Sequence, residues 1–422
     1  MNRLALAFTL SVAALGPARA DQPAADPSLP PVTAVERALA GFPTVRAARD
    51  AVRFEQANDR RLQAGPYEFA VRGAYQSHNI DRGRYPEWDL GIERAIRLPN
   101  KARVDTAIGA QGVELARRAA YSAWCDGARL MLKLWFAWSR ESIQLELLQQ
   151  QAEFLRTQQV VVTKRARVGD APRVEVNLAE ASVAQAEASV AALQGREEGA
   201  RAALERTFPG LTVPPRATLG DPRPLDGDLD FYLDRVRIHN DEVRVARALS
   251  KRARLYADRA AADRIPDPAI GARLSSDQSG PDRIAGVYVI VPIPGKARAA
   301  FSDGVRAQSD AALNQEAAVV QRISADVAAM VGQAKGAYAA WQRARAASEG
   351  MARNADSMAR SWQLKEASLS DVVIARRLAV ESALSAALAR AEAEESRHRL
   401  LIEAHIIWND PEEEATDHTD GG

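Results

Sequence analysis

The 422-residue chain carries 56 Lys and Arg against 55 Asp and Glu, a net charge of +1. That balance gives no bulk attraction to nucleic acid or acidic lipid, and a single cysteine, Cys125, excludes an internal disulfide. Aromatic residues are sparse at 6% while alanine and arginine abound, a bias that favours long helices over ordinary globular domains.

The chain opens as an exported protein would. Arg3 supplies a short basic start, residues 4–15 are apolar except for Thr9 and Ser11, and Ala18-Arg19-Ala20 offers a small-x-small cleavage site. This reads as a signal peptide over 1–20, cut before Asp21, and too short to span a bilayer. No cysteine follows the run, so no lipid anchor is expected. Beyond it no stretch of about eighteen apolar residues occurs, and any membrane crossing must use strands.

After an N-terminal linker over 21–33, a first repeat is expected over 34–210. It starts with a helix carrying Phe42-Pro43-Thr44-Val45-Arg46-Ala47-Ala48-Arg49. Two strands follow, about 67–78 and 85–97. Tyr67, Phe69, Val71, Gly73 and Tyr75 share one face of the first, and Trp88, Leu90, Ile92 and Ile96 share one face of the second. Alternation over about ten residues suits a tilted membrane strand, with Tyr67, Tyr75, Tyr85 and Trp88 placed as interface aromatics. Arg94 interrupts the apolar face and counts against a membrane setting unless it snorkels at the boundary. A small soluble sheet packed on helices fits the strands equally well.

Residues 101–165 contain no proline and would span roughly 100 Å as one helix. Residues 172–208 read as a returning helix on which Val174, Leu178, Ala181, Ala188 and Ala192 form a narrow stripe suited to coiled-coil packing. A linker over 211–227 leads to a second repeat, 228–408, with the same order of parts. Its opening helix carries Asn240-Asp241-Glu242-Val243-Arg244-Val245-Ala246-Arg247, its strands are about 268–277 and 283–293, and its helices are 296–366 and 370–405. Ile270, Ala272 and Leu274 alternate, whereas 287–291 is an unbroken apolar run. An acidic, disordered tail over 409–422 closes the chain.

The repeats match most clearly after the strands. Leu98-Pro99-Asn100-Lys101-Ala102-Arg103 answers Ile293-Pro294-Gly295-Lys296-Ala297-Arg298. Proline ends a strand, Asn or Gly relaxes the turn, and Lys-Ala-Arg begins a helix. Pro99, Lys101, Arg103, Pro294, Gly295, Lys296 and Arg298 thus mark the strand-to-helix junctions. The turns between long and returning helices also correspond. With Gly169 set against Lys365, Glu175 falls on Asp371, so each turn places a carboxylate six residues on.

The duplicated order, the Leu/Ile-Pro-x-Lys-Ala-Arg junctions and the turn over 169–176 resemble the TolC family of outer-membrane efflux proteins. In that family the turn often reads Gly-x-x-Ser-x-x-Asp-Val-Leu. The resemblance covers residues 34–408. It implies a mainly α fold with a small β part, in which long helices form an α-barrel through the periplasm. Four membrane strands per protomer close, in a homotrimer, into a 12-stranded β-barrel set in outer-membrane lipid. It further implies a periplasmic adaptor (membrane fusion) protein and an inner-membrane efflux pump as partners. By the same resemblance Arg167, Gly169 and Ser368 are adaptor contacts, and Asp371, with Glu175 as its counterpart, lines the periplasmic aperture. Lys365 departs from the family, which favours glycine there. The junctions look similar to channels of heavy-metal efflux systems of the resistance-nodulation-division type, but metal ions, drugs and secreted products all stay open as cargo.

No cofactor is implied. The five histidines, His78, His239, His398, His405 and His418, lack ligand spacing, so no metal cage is expected. No phosphate loop, nucleophile elbow or catalytic pair occurs, which argues against an enzyme. The bland reading of Cys125 is a small apolar residue on a helix, and that of the two turn carboxylates is helix capping. The alternative function is a periplasmic coiled-coil adaptor or scaffold, which would carry one central helical hairpin between two halves of a β-domain.

Overall fold

A computed structural model describes residues 26–81, 83–277 and 282–411. The segment 1–20 expected as a signal peptide and most of the expected acidic tail lie outside the described residues. The chain runs α1 (Val32–Ala40), α2 (Pro43–Ala64), β1 (Ala70–Ile80), β2 (Gly83–Ala95), α3 (Pro99–Arg167) and α4 (Arg173–Thr207). It then runs α5 (Leu229–His239), α6 (Asp241–Ala262), β3 (Ala269–Asp277), β4 (Asp282–Ile290), α7 (Lys296–Gln363) and α8 (Leu369–Glu403). Element lengths recur: 22 and 22 residues for α2 and α6, 69 and 68 for α3 and α7, 35 and 35 for α4 and α8. Each half opens with two helices rather than the expected one. The break falls where proline (Phe42-Pro43) or an asparagine cap (Asn240, accepting from Val243 N) starts a new helix.

At 1.5 Å per residue α3 and α7 are each about 100 Å long. Near the sheet, α2, α3, α6 and α7 lie side by side in that order; further away the order is α4, α3, α8, α7. The helices thus form one layer with α2 and α4 along one edge and α7 along the other. Close approach is built into α3 by its glycines. A Cβ on Gly109 would fall 2.1 Å from Asp59 Oδ1, and one on Gly127 would fall 3.0 Å from Leu39. The main core gathers Trp124, Trp135, Phe136 and Trp138 of α3 with Leu39, Phe208 and Trp408. No described helix is long and apolar enough to cross a membrane.

The four strands form one antiparallel sheet in the order β1-β2-β3-β4, leaving β1 and β4 as free edges. The register aligns Val71, Ile92, Ala272 and Val287 across it, and Tyr75, Trp88, Ser276 and Arg283 nearer its tip. One face is mainly apolar and largely exposed: Val71 is 70% exposed, Tyr75 76% and Val287 86%. The other is charged. Arg72 pairs with Glu93 (3.3 Å), Arg273 with Asp89, and Gln76 and His78 with Glu87 (2.8 and 3.0 Å). Neither face packs on a described helix, so the expected packing of a small sheet on helices is not met among the described residues. The run over 287–291 resolves into the same alternation, because Tyr288 turns to the charged face, covers Gly271 and donates to Glu93 at 2.7 Å.

Two details of the strand expectation change. Tyr85 lies on the charged face, opposite His78. Tyr67 precedes β1 and donates to Asp267 at 2.5 Å, so it is a junction residue. Arg94 sits at the helix end of the sheet, where its guanidinium lies 4.8 Å from the Phe69 ring centre and donates to the Tyr67 carbonyl. That position suits a snorkelling cation.

The segments expected as linkers are docked. Ser28 is fully buried and its Oγ accepts from Gly220 N, within 211–227; Asp26 meets His398 Nε2 at 3.0 Å. Leu211 and Ala217 are buried. Asp410, assigned to the tail, is buried and paired with Arg49.

Candidate functional site

The two helical turns, which contain every aperture and adaptor candidate, are built alike at their first half. After α3, Gly169 takes φ +80°, Gly169 N donates to Ala166 O (3.1 Å) and Asp170 N to Arg165 O (2.9 Å). After α7, Lys365 takes φ +64° and the same two bonds recur, from Lys365 N to Trp362 O and from Glu366 N to Ser361 O. Both are Schellman caps, in which the residue after the C-cap must be left-handed. Glycine adopts that conformation freely, whereas Lys365 is strained in it. The lysine has a compensating contact, since its Nζ lies 3.4 Å from Asp170 Oδ1 and so ties one turn to the other. Arg165 also holds Asp170 (3.1 Å) and stacks 5.3 Å from the Trp362 ring centre. Hydrogen bonds from Arg165 and Lys365 hold the Asp170 carboxyl below its ordinary range.

The second halves of the turns differ. Ser368 and Asp371 form a complete capping box: Asp371 N donates to Ser368 Oγ (3.2 Å), while Ser368 N (3.0 Å) and Ser368 Oγ (2.7 Å) donate to Asp371 Oδ2. These bonds hold the Asp371 carboxyl below its ordinary value. Glu175 occupies the same third position of α4, but Pro172 has no side-chain donor and no such box forms. Glu175 Oε2 is buried without a partner. Arg167 and Gly169 are exposed, and beside them stand two apolar residues the sequence reading did not single out. Val168 and Leu364, the C-cap residues of α3 and α7, are 79% and 70% exposed.

The strand-to-helix junctions are far from equivalent. Lys101 is 1% exposed, its Nζ 3.1 Å from Asp263 and 3.0 Å from Asp267. Asp267 also accepts from Tyr67 and from Leu98 N, and Asp105 holds Arg97 and Arg259 at 3.0 and 2.6 Å. Burial would raise the Asp263 and Asp267 carboxyls, but the bonds from Arg259, Tyr67 and Lys101 outweigh it and lower both. A buried ionic cluster thus locks the first junction to the second half. At the second junction Lys296 is exposed and Arg298 donates to the Asp263 carbonyl at 2.9 Å. Pro99 opens α3, Gly295 caps α7, and Arg103 and Pro294 are exposed. Helix propensity made this motif visible in the sequence; the pairing of Lys101 with carboxylates more than 160 residues away did not show there.

A third cluster joins α3, α6 and the turn after α8. Arg129 binds Asp241 (2.6 Å) and Glu403 (2.7 Å), Ser122 donates to Asp241, and Tyr121 Oη lies 2.5 Å from His405 Nδ1. Burial opposes the Arg129 charge, and the two carboxylates outweigh it. Burial pushes His405 down to about 4, leaving a neutral imidazole.

No family model and no curated protein matches the sequence. Solved structures do match. VceC, an outer membrane protein of Vibrio cholerae, is 15% identical with a TM-score of 0.72 over 89% of this chain and 95% of that one. The CmeC outer membrane channel of Campylobacter jejuni is 12% identical with a TM-score of 0.74 over 92% and 88%. CusC, whose structures concern folding and transmembrane channel formation, is 14% identical with a TM-score of 0.70 over 92% and 99%. At these identities what is shared is the architecture, and the chain has the TolC-like fold of the outer-membrane channels.

Proposed function

We propose that the chain is one protomer of a homotrimeric outer-membrane efflux channel and has no enzymatic activity. The observation that carries this reading is the sheet. It is mainly apolar on one largely exposed face, charged on the other, open at both edges, and continuous with a helical layer about 100 Å long that is also open at both edges. Such a sheet leaves unpaired backbone groups at β1 and β4, which other copies can satisfy. Three copies give twelve strands, a closed barrel with lipid outside and a charged lumen. In this reading residues 34–210 and 228–408 are two outer-membrane efflux repeats, and residues 1–20 direct export.

The helical layer then closes into a periplasmic duct whose turns meet a periplasmic adaptor and, through it, an inner-membrane pump of the resistance-nodulation-division type. Arg167, Gly169 and Ser368 are the adaptor contacts, with exposed Val168 and Leu364 supplying the apolar area. Asp371 and Glu175 would form rings of three carboxylates near the aperture. Asp371→Asn is expected to weaken block by multivalent cations in bilayer recordings; unchanged block removes Asp371 from that role. Heavy-metal cations, drugs and secreted products are the cargo classes to screen. Cross-linking in separated membranes tests the whole reading. A trimer in the outer membrane supports it, and a soluble monomer or dimer refutes it in favour of a periplasmic scaffold.

A further inference from the structure

Cys125, Asp241 and His405 lie 116 and 164 residues apart in the sequence, yet one donor atom from each falls within 4.8 Å of the other two. All three residues are buried. His405 is fixed by a left-handed backbone (φ +52°) and by Tyr121 at its Nδ1. Its Nε2 is buried without a hydrogen-bond partner and points toward Asp241 Oδ1, 4.0 Å away, in a side chain that is 6% exposed. A native fold rarely leaves such an atom unsatisfied.

We propose that Cys125, His405 and Asp241 form a binding site for a thiophilic d10 cation such as Zn2+ or Cd2+. This does not rest on the channel reading. A sulfur, an imidazole nitrogen and a carboxylate oxygen are the donor set such ions select, with a fourth position left to water. The donor separations, at most 4.8 Å, would close to about 3.5 Å around a tetrahedral ion. With Nδ1–H donating a hydrogen bond to Tyr121 Oη, the Nε2 lone pair is left for the metal, the usual outer-shell arrangement for a ligating histidine. On binding, the Cys125 thiol releases its proton to solvent, a sulfur–metal bond forms and a metal-bound water leaves.

Charge selects the class of ion. Asp241 and Glu403 face Arg129, while Arg235 donates to the His405 carbonyl and Arg244 stacks on Tyr121. This cationic surround disfavours hard ions such as Mg2+ or Ca2+, which depend on carboxylate charge. A soft thiolate bond, with its larger covalent share, offsets more of that repulsion. The ion would link α3 to α6 and to the end of α8, joining the two halves of the chain.

Because Cys125 is the sole cysteine, thiolate-to-metal ultraviolet absorption reports this site alone. Full-length purified protein titrated with Cd2+ is expected to give a saturable band at one ion per chain, displaced by Zn2+. Cys125→Ser should abolish the band, and His405→Gln should raise the Cd2+ concentration for half-saturation at least tenfold. Absence of the band in the unaltered protein overturns the proposal without recourse to any variant. So does a band with unchanged half-saturation in a folded His405→Gln protein, which would show a thiol acting alone.

Discussion

Replacing Lys101 by methionine isolates the energetic weight of the first junction. The lysine is 1% exposed and its ammonium bridges Asp263 and Asp267 at 3.1 and 3.0 Å. Methionine fills similar volume, so the loss is electrostatic: the carboxylate of Asp267, itself 5% exposed, keeps its burial but loses its cation. Removing one partner of a buried pair costs about 3–5 kcal/mol. For a chain of roughly 400 residues the unfolding entropy is about 0.8 kcal/mol per kelvin, so the midpoint should fall by about 4–6 °C. Heat or urea unfolding of the purified protein, followed by tryptophan fluorescence, measures this. Adding Asp267→Asn to Lys101→Met should recover at least about 1 kcal/mol, because contacting charges couple. A loss below about 1 kcal/mol in the single variant, or no recovery in the double one, would refute the view that the cluster locks the two halves.

Gly169→Ala meets no neighbour within 4 Å, so its cost comes from the left-handed backbone alone, about 1–2 kcal/mol, read as faster amide exchange around the first turn. The Asp26 carboxyl is held well below its ordinary range by the His398 hydrogen bond. Its folded value is depressed, so its stabilisation is present above about pH 4 and lost as pH falls through the folded value. Acidification should free the segment 26–31 for proteolysis, and His398→Gln should free it at neutral pH; equal cleavage in both proteins at every pH would exclude the pair as the anchor. Ser368→Ala should raise the Asp371 carboxyl toward its ordinary value in a titration followed by NMR, since the Ser368 bonds are what lower it.

The sequence by itself determined the strands and the long and returning helices. Period-two alternation placed the strands to within a few residues, proline-free tracts gave the long helices, and the spacing Ser368-x-x-Asp371 carried its own cap. Each of these is a local signal, set by neighbours within one turn or one strand pair. Tertiary structure decided everything that depends on residues distant along the chain. It separated Lys101 from Lys296, identical in motif, because one meets Asp263 and Asp267 and the other meets solvent. It left the sheet clear of the described helices, since whether a helix covers a strand face is not written in the alternation of that strand. It brought Cys125, Asp241 and His405 together, where histidine spacing had argued against any ligand set. Helix and strand propensities act within a few residues, whereas desolvation and charge pairing act wherever packing brings groups together, and only the fold fixes which groups those are.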